Sequence, residues 1–222
     1  MIQKELIKII NNACKIKLNS ELSDISFLGE GVYKKAFKFT SNDEAYVALM
    51  SKKHQNLSKE FCELKKIHSI AKDYVPEPIF YFKDKKSAKE LYVTKCIEYP
   101  TLAEFCKSGP IDQKKLAFNL GLNLAQFNIE TGLLLEEPHD DNIFVDEKSQ
   151  SLKYCDPLQI KEGSLDEAVY FFMMDANTRP ECYRFANKFR EGLAEGISLV
   201  TDKTVEDAYS DLNFIKKYND IF

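Results

Sequence analysis

LEEPHDDNIFVDEKSQSLKYCDP, residues 135–157, contains two short apolar runs on either side of a polar turn. Asn142 begins the first run and Asp156 follows the second. Runs of this length around turn residues predict a β-hairpin whose open end presents both side chains. An amide oxygen and a carboxylate held side by side suit Mg²⁺, which binds a few protein oxygens together with phosphate oxygens. The stretch therefore predicts a magnesium site at the open end of a hairpin.

The composition is that of a folded, globular protein. The chain has 222 residues and is 44% hydrophobic, enough for one sizeable core or two small lobes. Because it contains no run of about eighteen apolar residues and no signal-type apolar region, we expect a cytoplasmic protein without a membrane span. The six cysteines are scattered, which predicts free thiols. A net charge of −4 with interspersed signs argues against nucleic acid as a partner.

Hydrophobic periodicity divides the chain into a β-rich part and a helical part. The first part is predicted to contain a helix at 2–14, strands at 25–33, 35–40 and 45–50, a helix at 57–71, and strands at 79–82 and 90–97. The second is predicted to contain helices at 101–107, 112–132, 164–176, 180–199 and 205–222, together with the hairpin. We therefore expect an α+β chain with an amino-terminal lobe at about 15–98 and a mainly helical lobe at about 101–222.

The block EPHDDN, residues 137–142, resembles the catalytic loop of the protein-kinase-like superfamily. Aminoglycoside-phosphotransferase-like kinases carry DxHPxN there, and the block shares its histidine and Asn142 but has Glu137 in place of the acid. Asp156 occupies the position of the second acid, which precedes Phe-Gly in those kinases and Pro-Leu here. The resemblance implies that Glu137 orients or deprotonates an acceptor hydroxyl, and that Asn142 and Asp156 hold Mg²⁺ on the nucleotide phosphates.

The segment GEGVYKKAFK, which begins at Gly29, resembles the glycine-rich loop of with-no-lysine kinases. Gly29 and Gly31 open a turn where missing side chains let backbone N–H groups approach phosphate oxygens. Met50 stands where most kinases carry the phosphate-binding lysine, and methionine has no charge. With-no-lysine kinases supply the ammonium from the third glycine position, which is Lys34 in this chain. The resemblance implies that Lys34 binds phosphate, and strand alternation directs Lys35 to the opposite face.

The ammonium of Lys34 needs an anionic partner, for which Glu60 is the first choice. The segment EFCELKKI, which begins at Glu60, matches the spacing of the helix that packs on the sheet in small-molecule kinases. Glu63 is the second choice, and a glutamate on an amphipathic helix is otherwise expected to be solvated. Glu98 lies near the connection between the lobes, where kinases offer backbone groups to adenine.

The resemblance covers about residues 27–158 and implies an atypical kinase with ATP and Mg²⁺ as cofactors. The acceptor is expected to be a hydroxyl group, most simply on a protein substrate. A pseudokinase that binds a partner protein stays open because of Met50, as does a small-molecule kinase or an AMP-transferring enzyme. No activation-loop segment is recognised after Asp156, a feature compatible with bacterial effector kinases, so delivery into a host cell is a second expectation for location.

Overall fold

The computed structural model describes residues 2–52, 56–108, 112–146, 148, 151–174 and 185–212. The chain divides into two compact units, Met1–Glu98 and Tyr99–Phe222. The first contains a five-stranded antiparallel sheet, and the second is mostly helical. The α+β class expected from the sequence is thus confirmed. Among the described helices, none has the length and apolar character needed to cross a membrane.

The first unit is built on a sheet with the strand order β1-β2-β3-β5-β4. Its elements are α1 (Ile2–Lys17), β1 (Ser23–Glu30), β2 (Lys34–Ser41), β3 (Glu44–Ser51), α2 (Leu57–Ile70), β4 (Pro78–Lys83) and β5 (Glu90–Lys95). Asn42 and Asp43, both with positive φ, form the two-residue turn between β2 and β3 that the polar sequence there predicted. β1 ends at Glu30, before the predicted end at residue 33, because the Gly31 N–H closes a turn onto the Lys34 carbonyl.

The core of the first unit lies between one face of the sheet and α1. Alternation along β2 and β3 buries Phe37, Phe39, Ala48 and Met50, and the apolar stripe of α1 joins the same cluster, with Ile10 fully buried. The sequence analysis began this lobe near residue 15. The helix at 2–17 nevertheless belongs to the unit, since its apolar face is buried against the sheet.

The second unit is organised around a long helix. Its elements are α3 (Leu102–Lys107), α4 (Gln113–Thr131), β6 (Leu133–Leu135), β7 (Ile143–Val145), β8 (Leu152–Tyr154), β9 (Ile160–Glu162), α5 (Leu165–Met174), α6 (Ala186–Val200) and α7 (Val205–Asp211). Asp112 caps α4 by accepting from two backbone N–H groups, and Gly132 ends it in the left-handed region at φ 69°. The helix predicted at 112–132 therefore has both of its ends where the sequence analysis placed them. Residues 175–176, 180–184 and 213–222 of the predicted helices lie outside the described part.

Glycine lets α4 and α6 approach closely. A Cβ added at Gly192 of α6 would collide with the carbonyl oxygen of Phe118 in α4, and one at Gly121 of α4 would collide with that of Phe189 in α6. The two backbones are therefore in direct contact, which no other residue type would permit without displacement.

Two pairs of three-residue strands complete the second unit. β7 and β8 pair antiparallel with Ile143 opposite Tyr154, which confirms the predicted hairpin. Part of its turn, residues 147, 149 and 150, lies outside the described residues. β6 pairs with β9, a ladder that the sequence analysis did not predict. Among the described residues, Cys14, Cys62, Cys96, Cys106 and Cys155 form no disulfide, and Cys182 lies outside those residues.

Candidate functional site

The first unit holds a buried cluster of one lysine, one glutamate and one tyrosine. The Lys34 Nζ lies 2.5 Å from Glu60 Oε1, and the Tyr92 hydroxyl donates to the same oxygen at 2.6 Å. Glu60 is only 3% exposed, so it is not the solvated helix residue that the alternative interpretation expected. The Lys34–Glu60 contact anticipated from the sequence is present, whereas Glu63 pairs with Lys66 on the exposed side of the helix.

Local capping fixes Glu60 in place. The Asn56 side chain accepts from the Lys59 N–H at the start of α2, and the Leu57 N–H donates to a carboxylate oxygen of Glu90 at 3.1 Å. These bonds satisfy N–H groups that a helix leaves unpaired in its first turn. Since Leu57 and Leu64 are buried, the first turn of α2 holds the Glu60 carboxylate beside β5 and its Tyr92.

The turn between β1 and β2 carries a second charge cluster. Glu30 lies 3.2 Å from Lys35 Nζ and 3.3 Å from Lys52 Nζ. The hydrogen bonds from Lys35 and Lys52, together with their positive charges, hold the pKa of Glu30 below its ordinary value. Lys34 and Lys35 thus contact different carboxylates, in agreement with the alternation expected along a strand.

The remaining predicted residues of the first unit are placed as follows. Gly29 pairs with Ala36 in the β1–β2 ladder, and space for a Cβ is open at both Gly29 and Gly31. Met50 is 1% exposed and belongs to the core, so its position carries no accessible charge. Glu98 is exposed and is the last residue of the unit.

The second unit holds a small recess with a cavity volume of about 10 Å³, room for about one water molecule, and it opens to solvent. Glu137, Asn142 and Asp156, the three residues predicted here, all line it. Glu137 and Asn142 come from the connection between β6 and β7, and Asp156 follows β8. The remainder of the lining is Leu135, Pro138, Ile143, Tyr154 and Gln159. The recess therefore collects every candidate residue that the sequence analysis assigned to the second lobe.

Backbone bonds at the open end of the β7–β8 hairpin set Asn142 and Asp156. Asn142 ends a 3-10 turn and its carbonyl accepts from the Cys155 N–H at 3.1 Å, while the Cys155 thiol lies 3.7 Å from Asn142 Oδ1. Asp156 caps the next 3-10 turn and accepts from the Leu158 N–H at 3.3 Å. Asn142 supplies an amide oxygen and Asp156 supplies a carboxylate oxygen. This pair of donors suits a small, hard cation that keeps most of its other ligands, such as water, when it binds.

Glu137 lies at the exposed rim of the recess, with its side chain 57% exposed. The Gln159 amide donates to Glu137 Oε2 at 3.1 Å, and His139 Nε2 lies 3.7 Å from the same oxygen. The Gln159 carbonyl also accepts from the Glu136 N–H at 2.8 Å, so side chain and backbone of Gln159 hold adjacent residues. The hydrogen bond from Gln159 orients the Glu137 carboxylate, which is still open to a molecule from solvent.

Two buried amides of α4 support the strands around the recess. Asn123 Oδ1 accepts from the Leu152 N–H of β8 at 3.2 Å. The Asn128 amide donates to the carbonyl oxygens of Leu133 and Gly163, at 2.9 Å in both cases. Since both asparagines are 5% exposed, these bonds satisfy backbone groups that water does not reach. The short strands are thus attached to α4.

The sequence analysis did not single out Tyr92, Gln159, Asn123 or Asn128. Polar residues inside an otherwise apolar helix or strand were the available signal for the two asparagines and Tyr92. Nothing in the local sequence marked Gln159, because its contact with Glu137 depends on the β6–β9 ladder. In the described part of the chain, no group of three or more His, Cys, Asp or Glu side chains lies together as a candidate metal centre.

Comparison with known proteins gives no family for the chain. No protein-family model matches it, and no curated protein matches it. The evidence on function is therefore the chemistry of the Lys34–Glu60–Tyr92 cluster and of the recess.

Proposed function

We propose that the chain is an atypical, protein-kinase-like phosphotransferase that uses ATP and Mg²⁺ to phosphorylate a hydroxyl group, most simply on a protein. The observation that carries the proposal is the ion pair between Lys34 and the buried Glu60. It supplies an oriented ammonium at the start of β2, directly after the glycine-bearing turn. Because phosphoryl transfer depends mainly on positioning and on charge stabilisation, an oriented ammonium is the first requirement of such a site.

Each candidate residue has a role in this proposal. Lys34 binds phosphate oxygens as a point charge, and Glu60 holds it in direction. Asn142 and Asp156 hold Mg²⁺, which when bound neutralises charge on the phosphates. The acceptor oxygen attacks the terminal phosphorus, the bond to the bridging oxygen breaks, ADP leaves, and Glu137 accepts the hydroxyl proton.

The geometry at Glu137 supports its role. Gln159 and His139 both approach Oε2, so Oε1 is the atom that we assign to the acceptor hydroxyl. Glutamate carries its oxygens farther from the backbone than aspartate, and a displacement of about an ångström can cost on the order of 10²-fold in rate. The contact from Gln159 limits the directions that the longer side chain samples.

A pseudokinase that binds a partner protein is the second candidate, and the position of Met50 favours it. Met50, which the resemblance aligns with the usual phosphate-binding lysine, is uncharged and lies in the core cluster with α1, paired with Lys35 rather than Lys34 in the β2–β3 ladder. In that case the chain recognises its partner with or without nucleotide, and the Lys34–Glu60 pair serves the fold.

Nucleotide binding by matched lysine variants tests the proposal. We expect ATP with Mg²⁺ to raise the melting temperature of the wild-type chain, since a ligand at about 100 times its Kd stabilises by roughly 2.7 kcal/mol. Lys34→Ala should abolish this rise. Lys35→Ala should keep it, because the neighbouring ammonium has similar exposure but contacts Glu30 instead. Thermal unfolding with ATP, with and without Mg²⁺, provides the measurement.

The opposite results are equally informative. An equal ATP response in Lys34→Ala would remove that lysine from the site, and the absence of any response in the wild type would favour the binding module. The intact mass of a modified acceptor protein distinguishes phosphate transfer from AMP transfer.

A further inference from the structure

We propose that Tyr92 is a positioning residue of the first site, whose hydroxyl fixes the Glu60 carboxylate so that Glu60 can direct Lys34. The inference rests on the proposed function in one respect, since the proposed function is what assigns phosphate binding to Lys34. The positioning itself is a property of the chain without nucleotide. It can therefore be tested independently.

Tyr92 and Lys34 converge on one atom. The hydroxyl lies 2.6 Å from Glu60 Oε1 and the ammonium lies 2.5 Å from it, so the same oxygen accepts from a neutral and a charged donor. A buried carboxylate is costly unless it is hydrogen-bonded, and bonds to an ionised acceptor are among the strongest in proteins. The tyrosine thus stabilises the charge of Glu60 without cancelling it, and the attraction for Lys34 is retained.

The tyrosine is the rigid member of the cluster. Tyr92 is fully buried in β5, where it is paired with Leu49 of β3 on one side and with Tyr81 of β4 on the other. Its ring lies 6.0 Å from that of Phe61, between centroids. Lys34 and Glu60 have long chains with several rotatable bonds, whereas a tyrosine hydroxyl is placed by two torsions. The sheet therefore sets the position of the hydroxyl, and the hydroxyl sets the other two groups.

Chemical modification of lysine tests the inference in the full chain without nucleotide. An acylating reagent is applied to wild type and to Tyr92→Phe, and the rates at Lys34 and Lys35 are measured by mass spectrometry. We expect the rate at Lys34 to rise about tenfold, on the order of the loss of one hydrogen bond to a charged group. The rate at Lys35 should stay unchanged, since it contacts Glu30.

Tyr81→Phe is the matched control. Tyr81 lies opposite Tyr92 in the neighbouring strand, and its hydroxyl bonds to Glu90 rather than Glu60. The same atom is removed at the adjacent position, so a general loosening of the sheet would appear in both variants. Glu90 keeps its bonds with Lys83 and with the Leu57 N–H when this hydroxyl is removed, so the start of α2 stays in place. We therefore expect the rates at Lys34 and Lys35 in Tyr81→Phe to equal those of the wild type.

Several outcomes would overturn the inference. These are an unchanged Lys34 rate in Tyr92→Phe, a matching rise at Lys35, or an equal response in Tyr81→Phe. A further check uses Glu60→Gln, which keeps the size of the side chain. If Tyr92 acts through Glu60, adding Tyr92→Phe to Glu60→Gln should leave the Lys34 rate unchanged, and an additive increase would contradict the inference.

Protection by nucleotide separates this inference from the proposed function. ATP with Mg²⁺ should slow acylation of Lys34 in the wild type and should do so less in Tyr92→Phe. If ATP gives no protection while Tyr92→Phe still raises the Lys34 rate alone, the positioning role stands and the phosphotransferase proposal fails.

Discussion

The two candidate sites of this chain are constructed in opposite ways. In the Lys34–Glu60–Tyr92 cluster the carboxylate and the tyrosine are buried, the ammonium is partly exposed, and the polar groups are held by one another. The recess around Glu137, Asn142 and Asp156 is open, and its residues are held by backbone bonds and by amides from α4. A buried charge must be satisfied before the protein folds stably, whereas an exposed one can await a ligand. The buried Glu60 carboxylate should therefore contribute more to stability than the exposed Glu137 carboxylate of the recess.

The recess depends instead on helix packing at a distance. Asn123 and Asn128 attach its strands to α4, and α4 is pressed against α6 at Gly121 and Gly192. Each of these contacts is made by a glycine or by the side chain of an asparagine. Substitutions in these helices should accordingly affect the recess without touching any residue that lines it.

The largest effect on the free energy of unfolding is expected at Gly192. Gly192→Ala replaces a glycine in the interior of a helix. The higher helix propensity of alanine by itself stabilises the helix by about 1 kcal/mol. The added Cβ collides with the Phe118 carbonyl, a backbone atom that cannot rotate away, and overpacking of this kind costs roughly 1–3 kcal/mol or more. Because the obstacle is backbone, we expect a collision cost of about 3–4 kcal/mol, above the usual range, and therefore a net loss of about 2–3 kcal/mol in urea unfolding.

Gly31→Ala is the control for this substitution. Open space surrounds that position and its φ is not positive, so we expect a change of about 0.5 kcal/mol or less. Equal losses at Gly31 and Gly192 would show that helix contact does not limit the stability of the second unit.

A smaller effect is expected at Glu60, and a matched pair on α2 isolates it. Glu60→Gln should lower the free energy of unfolding by about 1–2 kcal/mol, since a bond between charged partners is lost. The cost stays below the roughly 3–5 kcal/mol of a fully buried pair because Lys34 is 21% exposed and can reach water. Glu63→Gln breaks the exposed pair with Lys66 and should cost about 0.5 kcal/mol or less.

Denaturant unfolding of both variants measures the difference. If Glu60→Gln and Glu63→Gln have equal effects, burial does not distinguish the two ion pairs. The charge of Glu60 would then contribute no more to stability than the charge of an exposed surface residue.

Local sequence signals predicted much of this architecture. The cap at Asp112 and the left-handed Gly132 mark both ends of α4, because each signal acts on neighbouring backbone groups. The β7–β8 hairpin followed from two apolar runs around polar residues. The contact between Lys34 and Glu60 was expected only through resemblance, since 26 positions separate these residues in sequence.

Contacts between distant short segments were beyond such signals. β6 and β9 have three residues each, too few for periodicity to distinguish a strand from a loop. The contact between Gln159 and Glu137 depends on that ladder, so the sequence alone did not predict it. Tyr92 was correctly placed in a strand, but the strand pattern does not reveal which carboxylate its hydroxyl meets on the covering helix.

The smallest effect on stability is expected at Glu137, where the largest effect on transfer is also expected. Glu137→Gln should change the free energy of unfolding by about 0.5 kcal/mol or less, because the side chain is 57% exposed and an amide oxygen can still accept from Gln159. Under the proposed function, phosphate transfer should fall by on the order of 10²–10⁴-fold, since an amide does not take up the acceptor proton.

Glu136→Gln is the control at the adjacent position, where the carboxylate pairs with Lys161. Denaturant unfolding and a phosphate-transfer assay of both variants separate the two effects. Unchanged transfer in Glu137→Gln would remove this residue from the chemistry, while a large loss of stability would mean that the recess, like the buried cluster, is held together by its own charges.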